Sequence, residues 1–289
     1  MTLRTILVCL TSTVSAAELL HSAAVLARRD NAHVIGLYVT ESLVVYPGIA
    51  MHIPEVSFQS FVDSQKAHAK EVKAIFDTFA KSEDFPTEWR QVSSESGFLA
   101  DSIIANARFV DLVVMAQEDD GEDRPLINNL QERVIKEGGR PVLVIPRGYT
   151  AEKLGEKVLL GWSETREATR AVHDMMEVVS ADASVRILRV GKPPSNTLAD
   201  HAANDLAVAL SRHGPSVEIV HREKDGDKVP DVLAHEAFEM GADMIATGAC
   251  QVLPDDRHTQ VAAIAAPVFS WKRVIEYARL YRQVLGLAQ

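Results

Sequence analysis

The sequence lacks several features that mark particular classes of protein. It contains only two cysteines, Cys9 and Cys250, at unrelated places, which does not support a disulfide framework. No apolar stretch approaches the roughly 20 residues that a membrane-spanning helix needs. The apolar run Ile6–Leu10 is too short for the core of a signal peptide. These absences favour a soluble protein of the reducing cytoplasm.

The sequence also has fewer basic than acidic residues. The 289 residues include 30 Lys and Arg against 40 Asp and Glu, a formal net charge of -10. Nucleic-acid phosphates and anionic membranes are bound by basic surfaces, so neither is an expected partner. Hydrophobic residues make up 47% of the chain, which is enough for two globular domains.

One pattern occurs twice along the chain. Ile6–Leu10 leads into a helical stretch and is followed by the apolar run Val34–Val39, and Val158–Trp162 and Val185–Val190 repeat this arrangement. A shift of 152 residues aligns further residues: Thr11 with Ser163, Thr13 with Thr165, Ala16 with Ala168 and His21 with His173. A repeat this long indicates a duplicated domain. We therefore predict domains at residues 1–148 and 156–289, the second of them shortened after its fourth strand.

Strands and helices alternate in both copies. Predicted strands are Thr5–Leu10, Val34–Val39, Thr87–Val92, Asp111–Met115, Pro141–Ile145, Lys157–Trp162, Val185–Val190, Val217–His221, Asp243–Thr247 and one near Pro267–Trp271. Predicted helices begin near Ser15 and span Val56–Lys81, Phe98–Ala107, Arg166–Val179, Leu198–Arg212, Pro230–Met240 and the tail Val274–Leu285. This alternation predicts parallel sheets covered on both faces. In such folds ligands bind beyond the carboxyl ends of the strands.

The order and spacing of these segments resemble a tandem universal stress protein. The segments that carry the resemblance are Ile6–Val8, Asp111–Met115, Glu132–Val134, Pro141–Ile145, Trp162–Ala168 and Gly241–Ile245. The resemblance implies two tandem five-stranded parallel α/β sandwiches, of the adenine nucleotide alpha hydrolase-like type, packed as an internal pseudo-dimer. It also implies a role in cytoplasmic stress survival, and many members of the family bind ATP.

ATP-binding members of that family carry an Asp after the first strand and a glycine-rich loop after the fourth. Glycines let backbone N–H groups approach phosphates, and the following helix N-terminus stabilises their charge. Here the Asp is replaced by Thr11 and, in the second copy, by Ser163. The glycine positions of the first copy hold Ala116, Asp119 and Asn129.

The loop Glu118–Asp123 adds five carboxylates where phosphates would lie. Like charges about 4 Å apart repel by roughly 4 kcal/mol at an effective dielectric constant near 20. The second copy keeps Gly248 but has Gln251 at the next glycine position. We therefore expect both nucleotide sites to be degenerate and no cofactor to be bound. A divalent ion that bridges the acidic loop to phosphates is the alternative for the first site.

Other chemical motifs have simpler interpretations. Thr13 and Thr165 are interpreted as helix caps, and Cys9 as an inert core thiol. Cys250 follows the fourth strand and is interpreted as a pocket-lining thiol, with a redox sensor as the alternative. His201, His213, His221 and His235 lack zinc-ligand spacing. The sequence has no nucleophile elbow, phosphate-binding P-loop or dinucleotide-binding motif.

Three functions remain open at this point. The first is a non-enzymatic stress-response protein that acts through contacts with a protein partner or as a homodimer. The second is a regulatory switch that keeps one altered adenine-nucleotide pocket. The third is a small-molecule hydrolase or transferase on the same fold. The acidic loop and the lost glycines favour the first over the second, and the lack of an acid–base or nucleophile constellation disfavours the third.

Overall fold

The computed structural model describes residues 2–41, 55–94, 98–117, 130–150, 153–191, 197–223, 226, 228–248 and 262–265. The chain folds as two compact units, which divide between Ile145 and Pro146. Within the described helices, none is both long and apolar enough to cross a membrane. The domain limits drawn from the sequence stay predictions, and the tail helix Val274–Leu285 and the strand near Pro267–Trp271 lie outside the described residues.

The first unit is a parallel five-stranded sheet with helices between its strands. Its elements are β1 (Thr5–Cys9), α1 (Thr13–Asp30), β2 (His33–Thr40), α2 (Glu55–Ser82), β3 (Thr87–Ser93), α3 (Leu99–Ala107), β4 (Leu112–Ala116), α4 (Leu130–Glu137) and β5 (Val142–Ile145). The strand order is β3-β2-β1-β4-β5, and every pairing is parallel. The continuous apolar run of β1 is buried throughout its last four residues, as expected for a central strand with helices on both faces.

The second unit repeats this order in its first four strands. Its elements are β6 (Lys157–Gly161), α5 (Arg166–Val178), β7 (Ser184–Val190), α6 (Thr197–Ser211), β8 (Ser216–Arg222), α7 (Val229–Met240), β9 (Met244–Gly248) and β10 (Ala262–Ala265). The strand order is β10-β9-β6-β7-β8, and the four strands from β9 to β8 are parallel. The α/β class predicted from the sequence is confirmed in both units.

The fifth strand of the second unit differs from the expected parallel strand. The strand β10 pairs with β9 in the antiparallel direction. Only residues 249–261 connect β9 to β10, whereas residues 117–141 connect β4 to β5. Parallel neighbours are usually joined by a crossover that includes a helix, whereas antiparallel neighbours can be joined by a tight turn. The shorter connection of the second unit thus coincides with a reversed direction of its fifth strand.

An aspartate that directly precedes the fourth strand anchors the first strand of each unit. One carboxylate oxygen of Asp111 accepts the backbone N–H groups of Arg4 at 2.8 Å and Thr5 at 2.9 Å. Asp243 accepts three such groups, from Gly155 at 3.0 Å, Glu156 at 2.9 Å and Lys157 at 3.1 Å. Burial raises the pKa of Asp243, and the three N–H donors offset part of that rise.

A buried carboxylate joins a helix of the second unit to its sheet. Glu236 on α7 is 1% exposed and accepts hydrogen bonds from Arg186 Nη1 at 2.7 Å and Arg222 Nε at 2.8 Å. Arg186 also contacts Glu218 at 2.6 Å. Because a buried carboxylate is costly unless it is paired, these contacts fix α7 against β7 and β8.

Candidate ligand site at the carboxyl ends of the strands

The sheet pairings bring several of the predicted site residues to one edge in each unit. Because β1 pairs in parallel with β4, Thr11, which follows β1, and Ala116, which ends β4, lie at the same edge of the first sheet. The parallel pairing of β6 with β9 places Ser163 and Gly248 at the corresponding edge of the second sheet. The remaining candidates, Asp119, Asn129 and Gln251, lie outside the described residues, as do the acidic loop Glu118–Asp123 and Cys250.

The start of α1 differs from the prediction. Ser12 is the N-cap residue, with φ of -147° and ψ of 146°, and its side chain accepts the backbone N–H of Val14 at 3.2 Å. Thr13 is the first residue of the helix, so its predicted role as a cap is wrong and the helix begins two residues before Ser15. The run from Thr11 to Ser15 offers four hydroxyl residues that could cap a helix, and the sequence does not distinguish among them.

The equivalent helix of the second unit begins as predicted. Thr165 is the N-cap of α5, and its hydroxyl accepts the backbone N–H of Ala168 at 3.2 Å. Ser163, which stands at the position of the nucleoside Asp, lies 3.3 Å from Thr165 between the two side-chain oxygens. Both hydroxyls are therefore engaged in the structure of the helix start.

A glutamine that the sequence reasoning missed occupies the gap between β4 and α4. Gln131, in the first turn of α4, is 3% exposed. Its Nε2 donates a hydrogen bond to the backbone carbonyl of Ala116, the last residue of β4. This side chain thus ties the first turn of the helix to the strand end. A glutamine near a helix N-terminus is not by itself a sequence pattern from which such a contact could be predicted.

The end of β9 is in close contact with the first turn of α5. A β carbon at Gly248 would lie 2.5 Å from the carbonyl carbon of Glu167 and 2.6 Å from the backbone nitrogen of Ala168. Real β carbons essentially never approach so closely, and the obstructing atoms are backbone atoms that cannot rotate away. The backbone of β9 and the start of α5 are therefore packed together with no room for even a methyl group.

An ion pair crosses the same edge of the second unit. Arg189, near the end of β7, contacts Glu164 at 3.2 Å, and Glu164 lies between β6 and α5. Next to it, the backbone N–H of Trp162 donates to Leu188 at 2.9 Å. Within the described residues, Nε1 of Trp162 is buried without a hydrogen-bond partner, and so is Nε2 of Gln117 after β4. Each edge therefore holds one buried polar donor for which the described residues provide no acceptor.

Chemically reactive groups are scarce across the part of the chain that the structure describes. No group of three or more His, Cys, Asp or Glu there has the arrangement of a metal site. Complete burial raises the pKa of Cys9 to about 12, so its thiol stays protonated, which agrees with the interpretation as an inert core residue. His221 makes a structural contact, 2.7 Å from Nε2 to the carbonyl of Gly191. The edges hold hydroxyls, amides and an indole, which can bind a ligand.

Comparison with known proteins agrees with this fold. The model of the universal stress protein family matches residues 2–146. The structure is similar to a universal stress protein from Archaeoglobus fulgidus DSM 4304, with 14% identity, a TM-score of 0.64, and coverage of 91% of this chain and 95% of the other. It is also similar to a putative universal stress protein from Pseudomonas aeruginosa UCBPP-PA14, with 12% identity, a TM-score of 0.53, and coverage of 96% and 97%. At sequence identities of 14% and 12%, this similarity shows a shared fold and no more. No curated protein sequence is significantly similar to this chain.

Proposed function

Because the chain belongs to the universal stress protein family, we propose that it is a non-enzymatic cytoplasmic stress-response protein whose nucleotide pockets no longer bind ATP. In this proposal it acts through contacts with a partner protein or a second copy of itself. The fold is that of the family, but the fold alone does not specify a ligand. The proposal therefore depends on the residues at the carboxyl edges of the two sheets.

The observation that carries the proposal is the buried side chain of Gln131. In ATP-binding relatives, the phosphates are expected between the end of the fourth strand and the N-terminus of the following helix. In this chain the Gln131 carboxamide lies in that gap and donates to Ala116. A triphosphate would have to displace a buried, hydrogen-bonded side chain, and the carbonyl of Ala116 would lose its partner.

In the second unit, a different contact fills the place where phosphates would be expected. Its β9 end is packed against backbone atoms of Glu167 and Ala168, and its neighbouring strand β10 runs antiparallel. The formal net charge of -10 also opposes the approach of a triphosphate.

The test is thermal unfolding of the full chain with and without millimolar Mg-ATP, together with native mass spectrometry. We expect no change in Tm and no adenine nucleotide in the purified protein. A ligand at a hundredfold excess over its dissociation constant would add about 2.7 kcal/mol to the free energy of unfolding. A clear rise in Tm that depends on the ATP concentration would overturn the proposal. The same mass spectra report whether the chain self-associates.

A second candidate function is a switch that binds a small ligand in one remodelled cleft. It is favoured by the buried, unpartnered donors Gln117 Nε2 and Trp162 Nε1, noted among the described residues of the two edges. A ligand with acceptor groups would satisfy one of them. Mass spectrometry distinguishes this function from the first, because a ligand that co-purifies adds a discrete mass to the native protein.

A further inference from the structure

A groove between α1 and α2 of the first unit lies apart from the carboxyl edge of the sheet. Its volume is about 520 Å³. Pockets for small molecules commonly span about 300–1,000 Å³ and are lined mainly by apolar side chains. The groove is therefore large enough for a small organic molecule, and neither the family fold nor the proposed function above assigns it a role.

The groove exists because small side chains face each other on the two helices. Ala17 and Ala24 of α1 and Ala74 of α2 all line the groove, where larger side chains would fill the space between the helices. Three apolar side chains complete the walls: Leu20, Ile75 and Phe79. On both helices the lining residues recur at spacings of three and four, so each helix contributes one continuous face. The surface offered to a ligand is consequently mostly hydrocarbon.

The charged groups that line the groove neutralise each other. Arg28 Nε donates to Glu83 at 2.9 Å and Arg28 Nη2 donates at 2.5 Å, which makes a bidentate pair. The Glu83 side chain is only 6% exposed, whereas that of Arg28 is 56% exposed. Contact with Glu83 raises the pKa of Arg28, so the guanidinium stays charged. A charged ligand would have to separate these partners, and the charge pattern therefore fits an uncharged one.

A histidine in the wall supplies one polar group. His21 lines the groove, and among the described residues its Nε2 is buried without a hydrogen-bond partner. A buried nitrogen in this state carries a desolvation cost that a partner would relieve. His21 itself is only partly buried, so its side chain is accessible from the groove that it lines. His173, at the matching place in the second unit, is exposed.

We propose that the groove between α1 and α2 binds a small, uncharged, mainly apolar molecule that carries one hydrogen-bonding group. The apolar walls hold the hydrocarbon part, and a nitrogen of His21 pairs with the polar group. The neutral dye N-phenyl-1-naphthylamine has these properties, since it consists of aromatic rings joined by one N–H group. It serves as the probe of the site.

The test is fluorescence titration of this dye into the full-length protein and three variants. Ala74→Trp and Ala17→Trp fill the groove from opposite walls, and both positions are exposed, so the core is undisturbed. Ala105→Trp, at an exposed position of α3, is the matched control. We expect saturable one-to-one binding to the wild type and to the control, and at least about a tenfold loss of affinity in both filled variants. Equal affinity in filled and control variants, or no saturable binding to the wild type, would overturn the proposal.

The polar contact is tested by His21→Phe, which keeps an aromatic ring and removes both ring nitrogens. We expect this variant to bind the dye about tenfold more weakly than the wild type while it keeps one-to-one stoichiometry. Unchanged affinity would contradict the role assigned to His21 and, with it, the hydrogen-bonding class of ligand. Circular dichroism of each variant confirms that the helices are intact.

Discussion

At the scale of single residues, Asp111 and Asp243 have the same structural role in the two units. Each directly precedes the fourth strand and accepts backbone N–H groups at the start of the first strand. The contact joins two neighbouring strands where the ladder begins, so it fixes their register. The number of accepted groups differs, with two for Asp111 and three for Asp243.

We predict that Asp243→Ala lowers the free energy of unfolding by about 2–4 kcal/mol, since three N–H groups, two of them in partly buried hydrogen bonds, lose their acceptor. Asp111→Ala should cost less, about 1–3 kcal/mol, because two groups are involved. Urea denaturation measures both. The control is Asp205→Ala at an exposed position of α6, where a change within about 0.5 kcal/mol is expected. If all three variants unfold alike, the aspartates are not anchors.

Site residues were only partly predictable from the sequence. Thr165 could be recognised as a cap, because a hydroxyl residue stands directly before a helical apolar pattern. The role of Gln131 could not be recognised from the sequence. It depends on how close α4 lies to Ala116, and only the packed fold determines that distance. The same holds for the groove near His21, which arises from two helices that are distant in sequence.

At the scale of elements, substitutions at the helix starts test which of several neighbouring hydroxyl residues caps the helix. We expect Thr165→Ala and Ser12→Ala each to destabilise the protein by about 1 kcal/mol, because each removes an N-cap acceptor. Thr13→Ala should change stability by less than about 0.5 kcal/mol, since Thr13 lies inside the first turn. Thermal or urea unfolding of the three variants provides the measurement. A larger effect at Thr13 than at Ser12 would contradict the described cap.

Most elements were predictable because their hydrophobic periodicity is strong. The helix expected at Val56–Lys81 spans Glu55–Ser82, and the strand expected at Val34–Val39 spans His33–Thr40. The direction of β10 was not predictable. Its residues, Ala262–Ala265, belong to a longer apolar run, and such a run reveals neither which part pairs with β9 nor in which direction.

At the scale of the whole molecule, the excess of acidic residues governs which partners can approach. With a formal net charge of -10, the protein should not retard duplex DNA in a mobility-shift assay at about 50 mM salt. The physical reason is that binding to phosphates requires lysines and arginines that release counterions. A shift that disappears as salt is raised would reveal a basic surface and contradict this expectation. A histone run in parallel shows that the assay detects electrostatic binding.

The spacing between β9 and α5 bears on how remote relatives of this protein should be recognised. Gly248 coincides with a position that a glycine signature would count as a surviving part of a phosphate loop. Its close approach to Glu167 explains the glycine without any ligand. A motif search that scores glycines alone would therefore count Gly248 toward a phosphate loop although the packing of this chain already requires it. A search could score position 248 together with the residues that match Glu167 and Ala168 at the start of α5. Such a score would distinguish a glycine required by packing from a glycine required by a phosphate.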